Sequence, residues 1–400
     1  MSILFGFHIG FLVLGVLVLY IVHQPAIKKI ENNMSIHFHP LRIKEIRRET
    51  PDCVSVLLEV PEALQKEFQF IQGQSLTVRG FLNNEEVRRT YSICSSPIDK
   101  EWRVAIKKVE GGAFSSYANE QLQSGDTLEV MPPVGKFYTP LDPQQQKNYI
   151  AFAAGSGITP VLSLIKTTLA TEPNSTFTLV YGNRSRGTII FFEELEALKN
   201  KYMQRFILVH ILSRERTETA LNFGRINTDK LTELSKIMNY KKADEFFICG
   251  PEEMIFAAKA FLEATGINQK KIHFELFTTP GQGNKSAGGR QESGVRRQET
   301  GTENGSVSKI TIKLDGRSFD FELPFKNKTP ILDAALQQGA DLPYACKGGV
   351  CCTCKARLLE GQVEMDVHWG LEQEEIEEGY ILTCQSHPKS DKVMIDFDIK

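Results

Sequence analysis

The order of apolar and polar positions divides the 400-residue chain into five stretches. Ile3 to Val22, ILFGFHIGFLVLGVLVLYIV, contains no Asp, Glu, Lys or Arg. At ~1.5 Å rise per residue, twenty helical residues span about the 30 Å hydrocarbon layer of a bilayer. The segment therefore predicts a transmembrane anchor over residues 3–22. Lys28, Lys29, Arg42, Lys44, Arg47 and Arg48 follow it, a positive flank that predicts a single-pass membrane protein with its soluble domains on the cytoplasmic side. From 35 to 142 the chain shows short β-branched and aromatic runs between turns: Val54–Val60, Ser75–Val78, Thr90–Ser95, Trp102–Val109 and Thr127–Met131. Runs of that length and spacing predict a small antiparallel β-barrel. From 143 to 278, strand-like Tyr149–Ala153, Phe177–Tyr181, Phe206–Ile211, Glu245–Cys249 and His273–Phe277 alternate with helical Val161–Leu169, Glu193–Lys201, Thr228–Met238 and Glu252–Ala264. That rhythm predicts a doubly wound α/β domain.

Residues 279–306 are rich in Gly, Ser, Thr and Gln and show no apolar period, so they predict a flexible linker. A chain of that kind samples end-to-end distances of about 30 Å, enough for the last module to swing between two docking positions. That module, residues 307–400, opens with a predicted hairpin turning at Asp315-Gly316, followed by a short helix near Ile331–Gln337.

Composition narrows the function. With 41% hydrophobic and 24% charged residues the chain is an ordinary folded, multidomain protein. Forty-seven Lys and Arg against 49 Asp and Glu leave a charge of −2, which excludes the strongly basic nucleic-acid binders. Residues 307–400 hold 11 basic and 16 acidic side chains, and that local excess suits an acceptor with a basic docking face. Eight cysteines in 400 residues are too few for a disulfide-stapled scaffold, yet five of them crowd into Cys346, Cys351, Cys352, Cys354 and Cys384.

Cys346-x4-Cys351-x2-Cys354, with Cys384 further on, is the plant-type spacing for a [2Fe–2S] cluster, in which one loop gives three thiolates and a distant strand the fourth. Zinc ordinarily takes two short Cys-x-x-Cys units, which this chain lacks. Gly348 and Gly349 give the loop the freedom to turn its amides toward the sulfurs. Cys352 stands out of register and reads as a small spacer with some sensitivity to oxidation.

The run Leu342 to Cys384, LPYACKGGVCCTCKARLLEGQVEMDVHWGLEQEEIEEGYILTC, resembles the ferredoxin module of the phenylacetyl-CoA epoxidase reductases. These form a branch of the ferredoxin–NADP reductase superfamily with a C-terminal plant-type [2Fe–2S] domain. The resemblance covers nearly everything after residue 35 and implies a β-grasp fold for the last module. It also implies a flavin, FAD rather than FMN. Arg89-Thr90-Tyr91-Ser92 looks like the superfamily's flavin motif: a guanidinium suits a phosphate, the Tyr91 ring lies against isoalloxazine, and the Ser92 hydroxyl reaches its N5. Gly111-Gly112-Ala113-Phe114-Ser115 matches its second flavin-phosphate segment, in which Gly112 and Ser115 contact the cofactor. Cys249-Gly250-Pro251 looks like its nicotinamide-proximal motif, and Glu275 and Phe277 are implied to approach the flavin edge, Glu275 as a proton relay.

Gly155-Ser156-Gly157-Ile158-Thr159-Pro160 follows an apolar strand and opens a helix, the setting in which glycines let a pyrophosphate reach amide nitrogens. Thr159 suits the N-cap and Pro160 the first helical position. The third glycine of a Rossmann dehydrogenase is absent. After the second strand of this domain, Arg184, Ser185 and Arg186 suit a 2′-phosphate, which predicts NADPH over NADH.

A nicotinamide gives two electrons together and an iron–sulfur cluster takes one, so a flavin must stand between them. The sequence thus predicts an NADPH-dependent oxidoreductase that passes electrons through FAD and [2Fe–2S] to a separate oxygenase, hydroxylase or desaturase, a membrane-bound one if the anchor is retained. Tyr91, Ser92, Cys249 and Glu275 would shape the hydride pocket, and Cys346, Cys351, Cys354 and Cys384 would be the metal ligands. Two other classes stay open at this point: a redox sensor or scaffold without turnover, and a flavoenzyme reducing its own small substrate.

Overall fold

The computed structural model describes residues 38–82, 84–277 and 307–399. The predicted anchor and linker lie outside the described residues, among which no helix is long and apolar enough to cross a membrane.

The first sheet is built from β1 (His39–Thr50), β2 (Cys53–Glu59), β3 (Ser75–Leu82), β4 (Glu85–Ser92), β5 (Trp102–Lys107) and β6 (Thr127–Val130), in the order β4-β3-β6-β1-β2-β5. All its ladders are antiparallel. A bridge between Ile93 and Val104 closes it. Inward residues Leu41, Ile43, Val56, Leu76, Val78 and Val130 fill the barrel, and α1 (Ala113–Glu120) packs Phe114 and Ala118 into the same core. Each such side chain contributes roughly 1.5–3 kcal/mol by leaving water. One strand, β1, is not among those predicted, and one predicted boundary is corrected. β1 has no apolar run, because charged residues alternate with its buried Leu41 and Ile43. β4 starts at Glu85 instead of Thr90 and ends at Ser92, since register with β3 carries the polar stretch Glu85–Arg89 into the sheet.

The second sheet is parallel, in the order β11-β10-β7-β8-β9, from β7 (Asn148–Ala154), β8 (Thr176–Asn183), β9 (Phe206–Leu212), β10 (Glu245–Cys249) and β11 (Ile272–Glu275). Helix α2 (Ile158–Thr171) packs Ile158, Leu162 and Ile165 on one face together with α3 (Phe192–Lys201). On the other face α4 (Thr228–Leu234) and α5 (Glu252–Ala264) set Leu231, Ile255 and Leu262 against Phe152, Val180 and Phe246. Helix α4 stops four residues short of the expected Met238. The chain runs outward through β7, β8 and β9, then returns to the other side of β7 as β10. That reversal opens a crevice at the carboxyl ends of β7 and β10, the ligand position in doubly wound sheets.

The third sheet, in the order β13-β12-β18-β14-β16, is mixed: β12 (Val307–Leu314) runs parallel to the late strand β18 (Lys392–Asp396) and antiparallel to β13 (Arg317–Pro324). Asp315 (φ 53°) and Gly316 (φ 70°) make the left-handed two-residue turn that the Asp-Gly pair predicts. Helix α6 (Ile331–Gln337) packs on the sheet, and β14 (Lys355–Glu360), β15 (Val363–Met365), α7 (Gln373–Glu377), β16 (Tyr380–Leu382) and β17 (Ser386–Pro388) complete this β-grasp arrangement. The module expected to swing is seated against both other domains. Lys136 pairs with Glu375, Lys270 with Glu374 at 3.2 Å, and the rings of Phe256 and Trp369 lie 5.5 Å apart.

Candidate functional site

Two glycine turns meet in the crevice. A Cβ on Gly157 would come within 2.0 Å of the Cys249 carbonyl oxygen, and one on Gly250 within 2.6 Å of the Met254 methyl. Only glycines let the turn after β7 rest on the Cys249–Gly250 peptide. Gly155 takes a left-handed φ of 54°, and its carbonyl accepts from the Tyr181 hydroxyl at 2.9 Å. Thr159 is not the N-cap: Gly157 holds that position, and Thr159, one residue into α2, donates to the Ser156 carbonyl at 3.0 Å. The physical reason is a short turn over Gly155–Gly157 that starts the helix early.

These turns line a cleft of about 670 Å³ together with Arg184, Arg214, Arg225, Pro251 and Phe277. None of its three guanidiniums makes an ion pair among the described residues. Glycine turns that bare amide nitrogens at the head of a helix, with free guanidiniums beyond, fit a nicotinamide dinucleotide and its phosphates. Ser185 and Arg186 are corrected. The Ser185 amide and carbonyl are engaged by the Thr188 hydroxyl, while Arg186 stacks 4.7 Å over Phe192 and lines a separate cleft against Arg47 and Glu194. The loop after β8 turns them away. Arg214 and Arg225, which the sequence reading missed, come instead from the loop after β9. The rule that ligands lie outside strand carboxyl ends could have found them.

The flavin segments lie side by side. On β4, Arg89 is exposed and Tyr91 packs its ring 5.9 Å from Phe114 of α1. A Cβ on Gly112 would fall 2.5 Å from the Ser115 hydroxyl. Ser115 holds this turn by accepting from the Val109 amide and donating to the Gly112 carbonyl, both at 3.1 Å. An exposed guanidinium and a glycine turn at a helix start form a phosphate cradle of the kind a flavin nucleotide needs.

The two halves join at Ser92. Its hydroxyl donates to the Glu275 carboxylate at 3.0 Å, and Glu275 stands beside Cys249 in the β10–β11 ladder. Burial pushes the Glu275 carboxyl up to about 7, with the Ser92 hydrogen bond opposing it. Burial, and then the Glu275 charge, hold the Cys249 thiol far above its ordinary value, so it is a neutral wall of the pocket and no nucleophile. Two further bonds fix the position of β4: Ser163 of α2 donates to the Ser95 carbonyl at 2.7 Å, and the hydroxyls of Ser96 and Thr167 meet at 2.9 Å. The helix that opens at the glycine turn therefore carries the end of the flavin strand.

The four cysteines form two neighbouring pairs, Cys346 with Cys351 and Cys354 with Cys384, and the Cys346 amide donates to the Cys351 sulfur at 3.5 Å. Among the described residues no three His, Cys, Asp or Glu side chains converge as ligands of a single ion. Two thiols at each of two points is the donor set that two bridged irons require. The Gly348 amide points at the Cys346 sulfur, 3.3 Å away. Gly349 (φ 74°) could carry no Cβ, which would lie 2.8 Å from a Val367 methyl. Cys352 (φ 56°) donates to the Gly370 carbonyl, and burial pushes its thiol up to about 12. It fits the spacer role that the sequence predicts.

The comparisons with known proteins agree. Family models match over residues 40–139 (oxidoreductase FAD-binding domain), 152–260 (oxidoreductase NAD-binding domain) and 312–389 (2Fe-2S iron-sulfur cluster binding domain). The chain is 45% identical over 364 residues to a subunit of the 1,2-phenylacetyl-CoA epoxidase of Escherichia coli (strain K12), covering 91% of this chain and 98% of that one. It is 33% identical to the ferredoxin reductase component of 3-ketosteroid-9-alpha-monooxygenase from Rhodococcus rhodochrous, covering 89% and 96%. The solved phthalate dioxygenase reductase shares the fold, with a TM-score of 0.53 at 23% identity, over 90% of this chain and 98% of that one. The class is thus an electron-transfer oxidoreductase with FAD-binding, NAD-binding and 2Fe-2S domains on one polypeptide. The chain belongs to the family of oxygenase reductase components that includes the phenylacetyl-CoA epoxidase reductase subunit.

Proposed function

We propose that this chain takes electrons from NADPH and delivers them singly to an oxygenase. The observation that carries the reading is the hydrogen bond from Ser92 to Glu275, which brings the flavin motif and the end of the nucleotide domain to one point. When bound, the flavin accepts hydride from the nicotinamide and the cluster takes the electrons on one at a time. The chain's own residues do the rest. Gly155, Gly157, Gly250 and Pro251 seat the pyrophosphate and nicotinamide, and Arg184, Arg214 and Arg225 hold a 2′-phosphate. Arg89, Gly112 and Ser115 shape the flavin phosphate cradle, with Tyr91 and Phe277 against the ring system. Ser92 and Glu275 hold or release a proton at the flavin edge, and Cys249 excludes water beneath it. Cys346, Cys351, Cys354 and Cys384 hold the irons.

The 45% identical relative serves a phenylacetyl-CoA epoxidase, which supports as acceptor an epoxidase acting on an aromatic acyl-CoA. The apolar segment Ile3–Val22 favours a second reading, an acceptor at the membrane such as a hydroxylase or desaturase, with this chain anchored and its domains cytoplasmic. Detergent extraction of membranes followed by co-purification separates the two, since the first reading expects a soluble partner. Cytochrome reduction with NADPH and NADH in parallel tests the cofactor, and at least about tenfold preference for NADPH is expected from three guanidiniums on one phosphate. No preference would overturn that part.

A further inference from the structure

Arg88 is next to the flavin motif, yet its side chain serves another domain. It is buried, its Nε donates to Glu86 on its own strand at 2.7 Å, and its Nη1 donates to the Leu342 carbonyl at 3.2 Å. Its guanidinium lies 4.1 Å over the Tyr344 ring and 3.7 Å from Asp341. Tyr344 closes the circuit by donating its hydroxyl to Glu86 at 3.3 Å. Leu342 and Tyr344 lie four and two residues before Cys346, so one guanidinium grips the segment that leads into the cluster loop.

The strand pleat explains the division of labour, because successive side chains leave β4 on opposite faces. Arg89 and Tyr91 take one face. Arg88 and Thr90 take the other, where Thr90 meets Thr77 of β3 and Thr77 meets Thr353, the residue before Cys354, each at 3.4 Å. The strand that carries the flavin motif is therefore itself held to the cysteine loop at two places.

We propose that Arg88 is a positioning residue that seats the iron–sulfur domain on the flavin barrel, and that this seat sets the rate of electron passage between them. The proposal rests on the reductase reading above. The passage makes and breaks no bond: one electron leaves the flavin site and one iron of the cluster goes from ferric to ferrous, the oxygenase acceptor then takes that electron and returns the iron to ferric, and the second electron follows in a second passage. The contacts that make this seat are polar and few, and domain contacts of that kind open readily. The same seat can therefore be left when the domain meets its acceptor.

The test uses the full-length holoprotein and the variants Arg88→Ala, Arg88→Lys and Tyr344→Ala. Hydrogen exchange over residues 341–346 should rise and the radius of gyration by X-ray scattering should increase in both alanine variants. In stopped-flow absorbance, flavin reduction by NADPH should stay within about twofold of wild type while cluster reduction slows at least about tenfold, since small misplacements carry large rate penalties. Arg88→Lys, which keeps the charge but loses the planar stack on Tyr344, should fall between. Tyr344→Ala alters no residue of the flavin barrel, so it decides the matter even if Arg88→Ala folds poorly. Unchanged cluster reduction in Tyr344→Ala, or an equal slowing of flavin and cluster reduction in Arg88→Ala, would overturn the proposal. A wild-type protein lacking flavin or cluster absorbance would instead overturn the reductase reading itself.

Discussion

The cysteine loop and the nicotinamide cleft do neighbouring jobs but are made in opposite ways. Three of the four thiols come from nine consecutive residues, and their positions follow from the local turn of Gly348 and Gly349. The cleft is made where the turn at Gly155–Gly157 touches a peptide almost a hundred residues away, at Cys249–Gly250. Its chemistry is backbone amide and its precision is steric. A site made of local side chains announces itself by spacing, whereas a site made of distant backbone appears only once the sheet order is known.

The largest expected effect separates the two regions. Cys354→Ser removes a ligand from one iron, and should abolish the low-temperature paramagnetic signal of the reduced protein and lower cytochrome reduction at least about 100-fold. Hydride-driven flavin bleaching should persist. If bleaching fell equally, the loop and the cleft would not be separable. The mirror experiment is Gly157→Ala. An added methyl 2.0 Å from the Cys249 carbonyl oxygen forces the turn off β10 and should cost roughly 3 kcal/mol or more in thermal or denaturant unfolding. Nucleotide binding should fall with it, while the cluster signal stays.

Much of this was legible in the sequence, and the failures share a cause. The Cys-x4-Cys-x2-Cys loop, the Asp-Gly hairpin and helices α5 and α6 rest on local rules, and the structure has them where those rules put them. Glu275 and Ser92 are 183 residues apart; the family resemblance placed each near the flavin, but their direct bond appears only in the structure. Arg186 was misassigned because the sequence shows that a guanidinium follows β8 but not which way the loop turns. Arg88 went unnoticed beside Arg89 because the facing domain that buries it is absent from any local window. Thr159 missed the N-cap by two residues because an early turn took its place.

The misassignment of Arg186 yields a prediction of intermediate size. On the proposed NADPH reading, Arg214→Ala and Arg225→Ala should each raise the KM for NADPH by about 10-fold or more with little change for NADH, since each would remove one charge-assisted contact to a phosphate that NADH lacks. Arg186→Ala should change neither. Steady-state kinetics with both nucleotides decides it, and equal losses for NADH would show that these guanidiniums hold the pyrophosphate.

The smallest effect concerns the point where the two halves of the cleft meet. Burial raises the Glu275 carboxyl from its ordinary value of 4.5 to about 7, so the folded protein keeps a proton there that the unfolded chain has already lost. The bound-proton difference makes stability fall as pH rises from 4.5 to about 7 and leaves it flat above. The full shift corresponds to at most about 3 kcal/mol, less what the solvated part of this half-buried group recovers. Glu275→Gln keeps the hydrogen bond from Ser92 while removing the ionisation. Its melting temperature should therefore lose that slope, equalling wild type near pH 4.5 and exceeding it by a few degrees at pH 8. In transient kinetics the wild-type rate of flavin reduction should bend near pH 7, and the variant should show a few-fold slower rate with no bend. A bend that survives in Glu275→Gln would assign the titration to another group. Ser92 would then be left to orient the flavin edge without a proton partner, and the junction between barrel and α/β domain would be a structural tie alone.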